Sequence, residues 1–422
     1  MRIDSSPPAT TSAIRPIHAF AIFLAFAAGH FLSYGLRSVN ATLAPYLIRD
    51  LSLTPADLGW LSAAYYVSFA AMQYPLGIWL DRYGERMVES LLLLIAAAGA
   101  LLIAMGDSLA ALSWGRILVG IGVSACLMAP FTYFRRNFPP ERQSQLGLLL
   151  LVLGTSGAVT STWPAALLAQ SQGWRVVFYI VAVLLLVVAT AIFFIVPRRT
   201  PVVAAADPGH AEQSTHPAPA SRPRPLILHP YILRVMPLLL IGHGGGIALH
   251  TLWAGPWMTQ VLDMGDNQMA RTMFVLMVTM MLSYVLMSVI TPRLQRRGLS
   301  MPYIAYIGHI VSVTLVIAIA LFPVADAWWL WMALAVVFPA LSLMQPGVSV
   351  LFPREMAGRV LTLCNLFMFG GAFIVQWGIG LIIEALHIAG LGDKQAYPGA
   401  LLILATLHVL SIIWLRVKGG QR

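Results

Sequence analysis

The sequence predicts an all-α integral membrane protein of twelve transmembrane helices in two pseudo-symmetric six-helix bundles. Three observations predict it. Of 422 residues, 59% are hydrophobic and 10% charged, and mean hydropathy is +0.80, whereas soluble domains carry about 25% charged residues. So few charges could not cover that much apolar surface, which excludes a soluble enzyme, a nucleic-acid module and a disordered chain. At about 20 residues per span, the apolar content suffices for about twelve spans. The other two observations are the one-sided placement of positive charge and a polar stretch that divides the spans six and six.

In order along the chain, residues 1–16 (MRIDSSPPATTSAIRP) form a polar cytoplasmic tail. The apolar run after them is too long for a signal peptide. The N-terminal bundle, 17–197, holds spans at 17–47, 58–80, 88–105, 109–134, 143–169 and 174–197. Residues 198–229, rich in Pro, Ala and charge, cannot pack a core and read as a cytoplasmic linker. The C-terminal bundle, 230–416, holds spans at 231–262, 268–290, 302–323, 328–352, 360–386 and 396–416, before a short tail, 417–422. Turn signals such as Pro139-Pro140, Pro292, Pro323 and Pro353 separate the spans.

With the N-terminus inside, twenty of the 26 Lys and Arg fall on inner segments, and only Arg49, Arg175, Arg271 and Lys394 on outer ends. Positive charge collects on the cytoplasmic side of membrane proteins. This bias puts both termini in the cytoplasm, with a bacterial inner membrane as the expected location. It also accounts for the net charge of +10 without nucleic acid. Cys126 and Cys364 lie in apolar runs and imply neither a disulfide framework nor a metal cluster. The halves repeat weakly: Phe138, Pro139, Glu141, Gly157 and Ala158 recur as Phe352, Pro353, Glu355, Gly371 and Ala372, and Pro45 has a counterpart in Pro256. Parallel repeats of six spans are a transporter arrangement.

Between spans 2 and 3, Gly77-Ile-Trp-Leu-Asp81-Arg82-Tyr-Gly84-Glu-Arg86 resembles the signature loop of the major facilitator superfamily, G-x-x-x-D-R-x-G-x-R. Arg116 with Gly120 and Gly122 in span 4, and Gly173-Trp174-Arg175 at the start of span 6, resemble further features of that family. In the second half the loop decays to Thr291-Pro292-Arg293-Leu-Gln-Arg296-Arg297-Gly298. Span 5 lacks the Gly-Pro pair typical of drug/proton antiporters. The resemblance implies a secondary transporter working by alternating access, with Gly77, Asp81, Arg82, Gly84 and Arg86 as a gate. Asp81 would close the inner face against the positive end of span 11 near Gly358-Arg359. The resemblance also associates the position of Arg116 with proton coupling.

Charged residues within spans are costly and mark function by default. Arg37 shares one stripe of span 1 with His30, Ser33, Tyr34 and Asn40, by helical spacing. An arginine fork suits carboxylate or phosphate, and Tyr34-x-x-Arg37 resembles span 1 of organic-anion transporters of the superfamily. His243, His250 and Trp257 follow at intervals of seven in span 7, where Gly242, Gly244, Gly245 and Gly246 weaken the helix. Trp253 stands one turn from His250. Tyr65, Tyr66 and Gln73 in span 2, Gln345 in span 10, and Asn365 and Gln376 in span 11 complete the candidate substrate site. His309 and His408, on peripheral spans, read as structural.

Acids are nearly absent from the spans; Glu89 and Glu384 lie near span ends. A buried carboxylate proton site is therefore not visible, and His30, His243 or His250 becomes the expected proton carrier. The lead expectation is a monomeric symporter for a small organic anion, with protons as coupling ion and no cofactor. Efflux of amphipathic compounds is the alternative. A further one is copper or metal-chelate import, through thioethers of Met273, Met277 and Met281 along one face of span 8 and the histidines of span 7.

Overall fold

A computed structural model describes residues 16–138, 140–198, 226–352 and 356–417. Its helices are α1 (Pro16–Leu51), α2 (Pro55–Tyr83), α3 (Glu85–Met105), α4 (Leu109–Gly122), α5 (Met128–Asn137), α6 (Pro140–Thr160), α7 (Trp163–Gln172), α8 (Trp174–Ile195), α9 (Pro230–Pro237), α10 (Gly244–Ala248), α11 (Ala254–Gln260), α12 (Asp266–Arg296), α13 (Met301–Leu321), α14 (Trp329–Ser342), α15 (Met344–Ser349), α16 (Ala357–Ile388) and α17 (Asp393–Val417). Segments that run on end to end make twelve rods, six before and six after the predicted linker. The first tail and most of the linker lie outside the described residues. Among the described residues, ten helical stretches are long and apolar enough to cross a membrane. The other two rods are α2, with charged ends, and α4 with α5, broken over 123–127.

Local chemistry explains where the helices start and stop. Thr54 caps α2 in a reciprocal box with Asp57, with Pro55 at the first helical position, where its missing N–H costs nothing. Gly84, at φ +78°, ends α2 and starts α3 in a conformation that a side chain would strain. The expected turn at Pro292 is not formed: α12 runs through it to Arg296. A proline inside a helix forfeits one backbone hydrogen bond. Side chains tie the surrounding turn instead, Thr291 Oγ1 donating to the Met287 carbonyl at 2.7 Å and Arg293 Nη1 to that of Val289 at 3.0 Å.

The sequence repeat has a packing cause. Gly157 of α6 leaves no room for a Cβ against the Phe31 carbonyl of α1, and Gly371 of α16 leaves none against the Leu240 carbonyl of the seventh rod. The fifth rod thus lies on the first as the eleventh lies on the seventh. In the seventh rod, π-helical stretches Leu238–His243 and Leu249–Trp253 flank α10, on either side of Gly244, Gly245 and Gly246. Such widened turns recur at functional sites.

The halves meet tightly on one face, the predicted outer one. A Cβ on Gly59 of α2 would stand 2.7 Å from the Gln376 carbonyl of α16, and Gly380 and Gly255 leave no room for one against the carbonyls of Pro55 and Ala41. Trp60 packs on Trp377, ring centroids 5.2 Å apart. Arg49 pairs with Asp266 at 2.6 Å, and the Thr54 hydroxyl lies 3.1 Å from Glu384 Oε2. On the predicted inner face, Gly77 has nothing within 4 Å of a Cβ position. Gly77 therefore makes no close packing contact in this conformation, in which the halves meet on the predicted outer face.

Candidate substrate-binding site

Between the halves lies a cavity of about 270 Å³, near the lower bound of small-molecule sites at roughly 300 Å³. Eight of the expected residues line it: His30, Tyr34, Arg37, Gln73, His243, His250, Gln345 and Asn365. Arg37 is half-buried, and its Nε has no hydrogen-bond partner. Its guanidinium carbon lies 4.7 Å from the ring centroid of Tyr34, 5.2 Å from that of Phe369 and 5.4 Å from that of Phe69. The ion pairs among the described residues do not include it. Aromatic faces attract a cation but cannot accept the directional hydrogen bonds of its fork.

The histidines differ from one another. His250 Nδ1 lies 2.8 Å from the Gly246 carbonyl, so Nδ1 donates and Nε2 is left as an acceptor without a protein partner. His250 and His243 pack against Phe338 of α14, centroids 4.9 and 5.2 Å away. His30 lies edge-on to Tyr34 at 5.0 Å, and neither of its ring nitrogens has a partner. Gln345 Nε2 donates to Asn365 Oδ1 at 2.8 Å, joining α15 to α16 at the cavity wall. His309 and His408 hydrogen-bond each other at 3.1 Å, buried away from the cavity.

The other six expected residues do not line the cavity, because helical spacing shows a shared stripe but not its depth. Asn40 Nδ2 donates to Ser62 Oγ at 2.7 Å and ties α1 to α2. Tyr66 donates to Thr251 Oγ1 at 2.9 Å, and Gln376 Nε2 reaches the same oxygen at 3.3 Å, a polar roof across the halves. Tyr65 is buried and stacks on Phe69. Trp253 Nε1 donates to the Gln376 carbonyl at 3.1 Å. Trp257 packs on Trp331, centroids 6.1 Å apart, since the π turn between His250 and Trp257 breaks their heptad register. The methionine stripe also splits: Met277 lines the cavity with Met280, Met281 lines a neighbouring cleft, and Met273 is buried in the core.

Sequence reasoning missed Phe69, Phe338 and Phe369, whose apolar side chains carry no polar signal, and the Tyr284–Ser342 pair, 3.2 Å apart. The gate residues sit at one end. Arg82 lies over Tyr83 and Arg86 over Phe193, with Arg86 Nη1 3.5 Å from the Val196 carbonyl. The Asp81 side chain lies outside the described residues. Arg116 is buried in α4, over Phe178, and donates to the Leu36 carbonyl at 2.9 Å. Glu89 corrects the expectation that the spans hold no buried carboxylate: it is fully buried.

Comparison with known proteins agrees with this geometry. The family model described as Major Facilitator Superfamily matches residues 26–376. A probable sulfoacetate transporter of Cupriavidus necator is 30% identical over 155 residues, 36% of this chain and 35% of the relative. A niacin transporter of Acinetobacter baylyi is 25% identical over 142 residues, 34% of this chain and 32% of the relative. The matched stretches span about a third of the length of these curated relatives. A bacterial homolog of the human lysosomal transporter Spinster, solved in an inward-facing and unoccupied conformation, superimposes with a TM-score of 0.75 at 16% identity. That alignment covers 95% of this chain and 97% of the other; at such identity the likeness is one of fold.

Proposed function

The chain belongs to the major facilitator superfamily, and on that premise we propose that it takes up a small organic anion of the carboxylate type by proton-coupled alternating access. It is a multi-pass membrane transporter, not an enzyme. The observation that carries the anion reading is Arg37 in the central cavity, set among three rings with no acid paired to it. A cation in that position needs an anion or water to complete its solvation. Ring faces accept no directional hydrogen bond from the guanidinium, whose N–H donors lie in its plane, where a carboxylate accepts two hydrogen bonds. Sulfoacetate and niacin, after which the two relatives are named, both carry carboxylates at neutral pH, which supports the reading.

The free acceptor nitrogen of His250 supports proton binding at the cavity, with His243 beside it. In this account Arg116 acts with them in coupling, Asp81 gates the inner face, the protein works as a monomer, and both termini are cytoplasmic in a bacterial inner membrane. A second reading, export of amphipathic compounds, is favoured by one observation. A largely apolar cleft of about 550 Å³ joins the cavity at Tyr34 and Tyr284, between α6 and α12. Thermal-shift screening of purified protein against carboxylates, sugar acids, phosphates and amphipathic cations separates the two. Stabilisation by carboxylates that is lost in Arg37→Gln supports the first; stabilisation by amphipathic cations alone supports the second.

A further inference from the structure

The cleft between α6 and α12 takes no part in holding an anion at Arg37, yet it is continuous with the cavity that does. The two spaces share Tyr34, Leu151, Tyr284 and Ser342. Tyr34 is thus a wall of both, and the Arg37 guanidinium carbon lies 4.7 Å from its ring centroid. A group held by the arginine stands one ring away from the cleft. The cavity alone, at about 270 Å³, falls just short of the roughly 300–1,000 Å³ of small-molecule sites. Joined to a cleft of about 550 Å³, it lies well inside that range.

The lining of the cleft is apolar in effect. No charged residue is among the described residues that form it. Its serine and threonine hydroxyls are already engaged. Thr155 donates to the Leu151 carbonyl of its own helix at 2.8 Å, and Ser288 and Thr291 donate to those of Val285 and Met287 at 2.7 Å each. Ser342 pairs with Tyr284 at 3.2 Å. A polar group entering the cleft would leave hydrogen bonds unmade, whereas an alkyl or aryl group gains by leaving water. One end of the joined space is therefore cationic and the other apolar.

We propose that the cleft is the tail subsite of the substrate: the transported anion is an amphipathic carboxylate, whose head group meets Arg37 and whose alkyl or aryl chain passes Tyr34 and Tyr284 into the cleft. The assignment rests on the anion reading above and names its substrate class. Continuity with the cavity favours the substrate's own chain over a bilayer acyl chain, and the arginine at the junction disfavours a cationic head group.

The test is calorimetric affinity of the full chain for straight-chain acids from butyrate to decanoate and for their amides, with protein-free micelles as the blank for partitioning. Burial of a methylene is worth up to about fourfold in affinity, so wild type should bind the acids about two- to fourfold more tightly per added carbon until the cleft is full. Val152→Trp on α6 and Ser288→Trp on α12 each place a ring in the cleft from an exposed position. Both should bind butyrate, whose chain stays in the cavity, as wild type does, and lose most of the rise with chain length. An equal rise in wild type and both variants, or no rise in wild type, overturns the tail subsite; the anion reading stands if butyrate affinity still falls in Arg37→Gln. No rise in wild type, with phospholipid that co-purifies with wild type but with neither variant, overturns the proposal in favour of a bilayer chain. A rise shared by acids and amides and unchanged in Arg37→Gln defeats the anion reading, and the proposed head group with it.

Discussion

Substituting Gly59 by alanine should unseal the outer face without unfolding the protein. The added Cβ would stand 2.7 Å from the Gln376 carbonyl oxygen and 3.2 Å from Trp377 Cα. A carbon bonded to hydrogen approaches a carbonyl oxygen to about 3.3–3.6 Å, so α2 and α16 must separate by roughly 0.6–0.9 Å. Overpacking of this kind costs about 1–3 kcal/mol. The cost applies only while the face is closed, because Gly59 meets the other half there and opening removes the clash. The equilibrium should then move toward the outward-open state by about 5- to 150-fold. The Arg49–Asp266 pair cannot offset this: its arginine side chain is 60% exposed, and exposed pairs contribute at most about 1 kcal/mol. The assay is external labelling of Thr251→Cys by an impermeant thiol reagent; the native thiols, Cys126 and Cys364, are buried. Labelling should accelerate in Gly59→Ala and further in Gly59→Trp. Rates equal to wild type in both would refute the glycine seal.

Three further outcomes are expected. Asp81→Asn should impair transport while expression and folding survive, and wild-type uptake by a well-expressed variant would remove Asp81 from the gate. An inward proton gradient should accelerate uptake in vesicles held at zero membrane potential, with His250→Gln reducing the effect; initial rates unchanged by a protonophore would favour exchange or facilitated diffusion. Arg116→Gln should lower the melting temperature, since a hydrogen bond from a charged group contributes about 1.5–3 kcal/mol and this one holds α1 at Leu36. Unaltered melting together with lost proton dependence would assign Arg116 to coupling alone.

The rods were legible in the sequence because a bilayer demands about 20 apolar residues per crossing and charge marks their ends. Pro292 misled as a boundary, since a proline near a helix end can be tolerated when side chains tie the surrounding turn. The repeat of Gly157 and Gly371 was visible as letters, but its cause, contact with the carbonyls of Phe31 and Leu240, requires the packed helices. In the site, polar residues inside apolar spans stood out, and Arg37 stood out most. Which of them reach the cavity was not legible: Asn40 keeps the predicted periodicity yet bonds within its own half, and the π turn after His250 carries Trp257 out of register onto Trp331. Glu89 was misread because distance from a span end measures depth along the membrane, not packing by neighbouring helices.

The central claim is that Arg37 binds the transported anion, and affinity measured on three proteins tests it most directly. Wild type, Arg37→Lys and Arg37→Gln are titrated with the carboxylate found by thermal-shift screening and with its neutral amide. Charge-assisted hydrogen bonds contribute roughly 1.5–3 kcal/mol each, so Arg37→Gln should bind the carboxylate about ten- to a hundredfold more weakly, at 1.4 kcal/mol per factor of ten. Lysine keeps the charge but loses the planar fork, and should recover only part of the loss, while the amide should bind the three proteins alike. Carboxylate affinity in Arg37→Gln equal to that of wild type would contradict the account and leave Arg37 a structural residue held by Tyr34, Phe69 and Phe369.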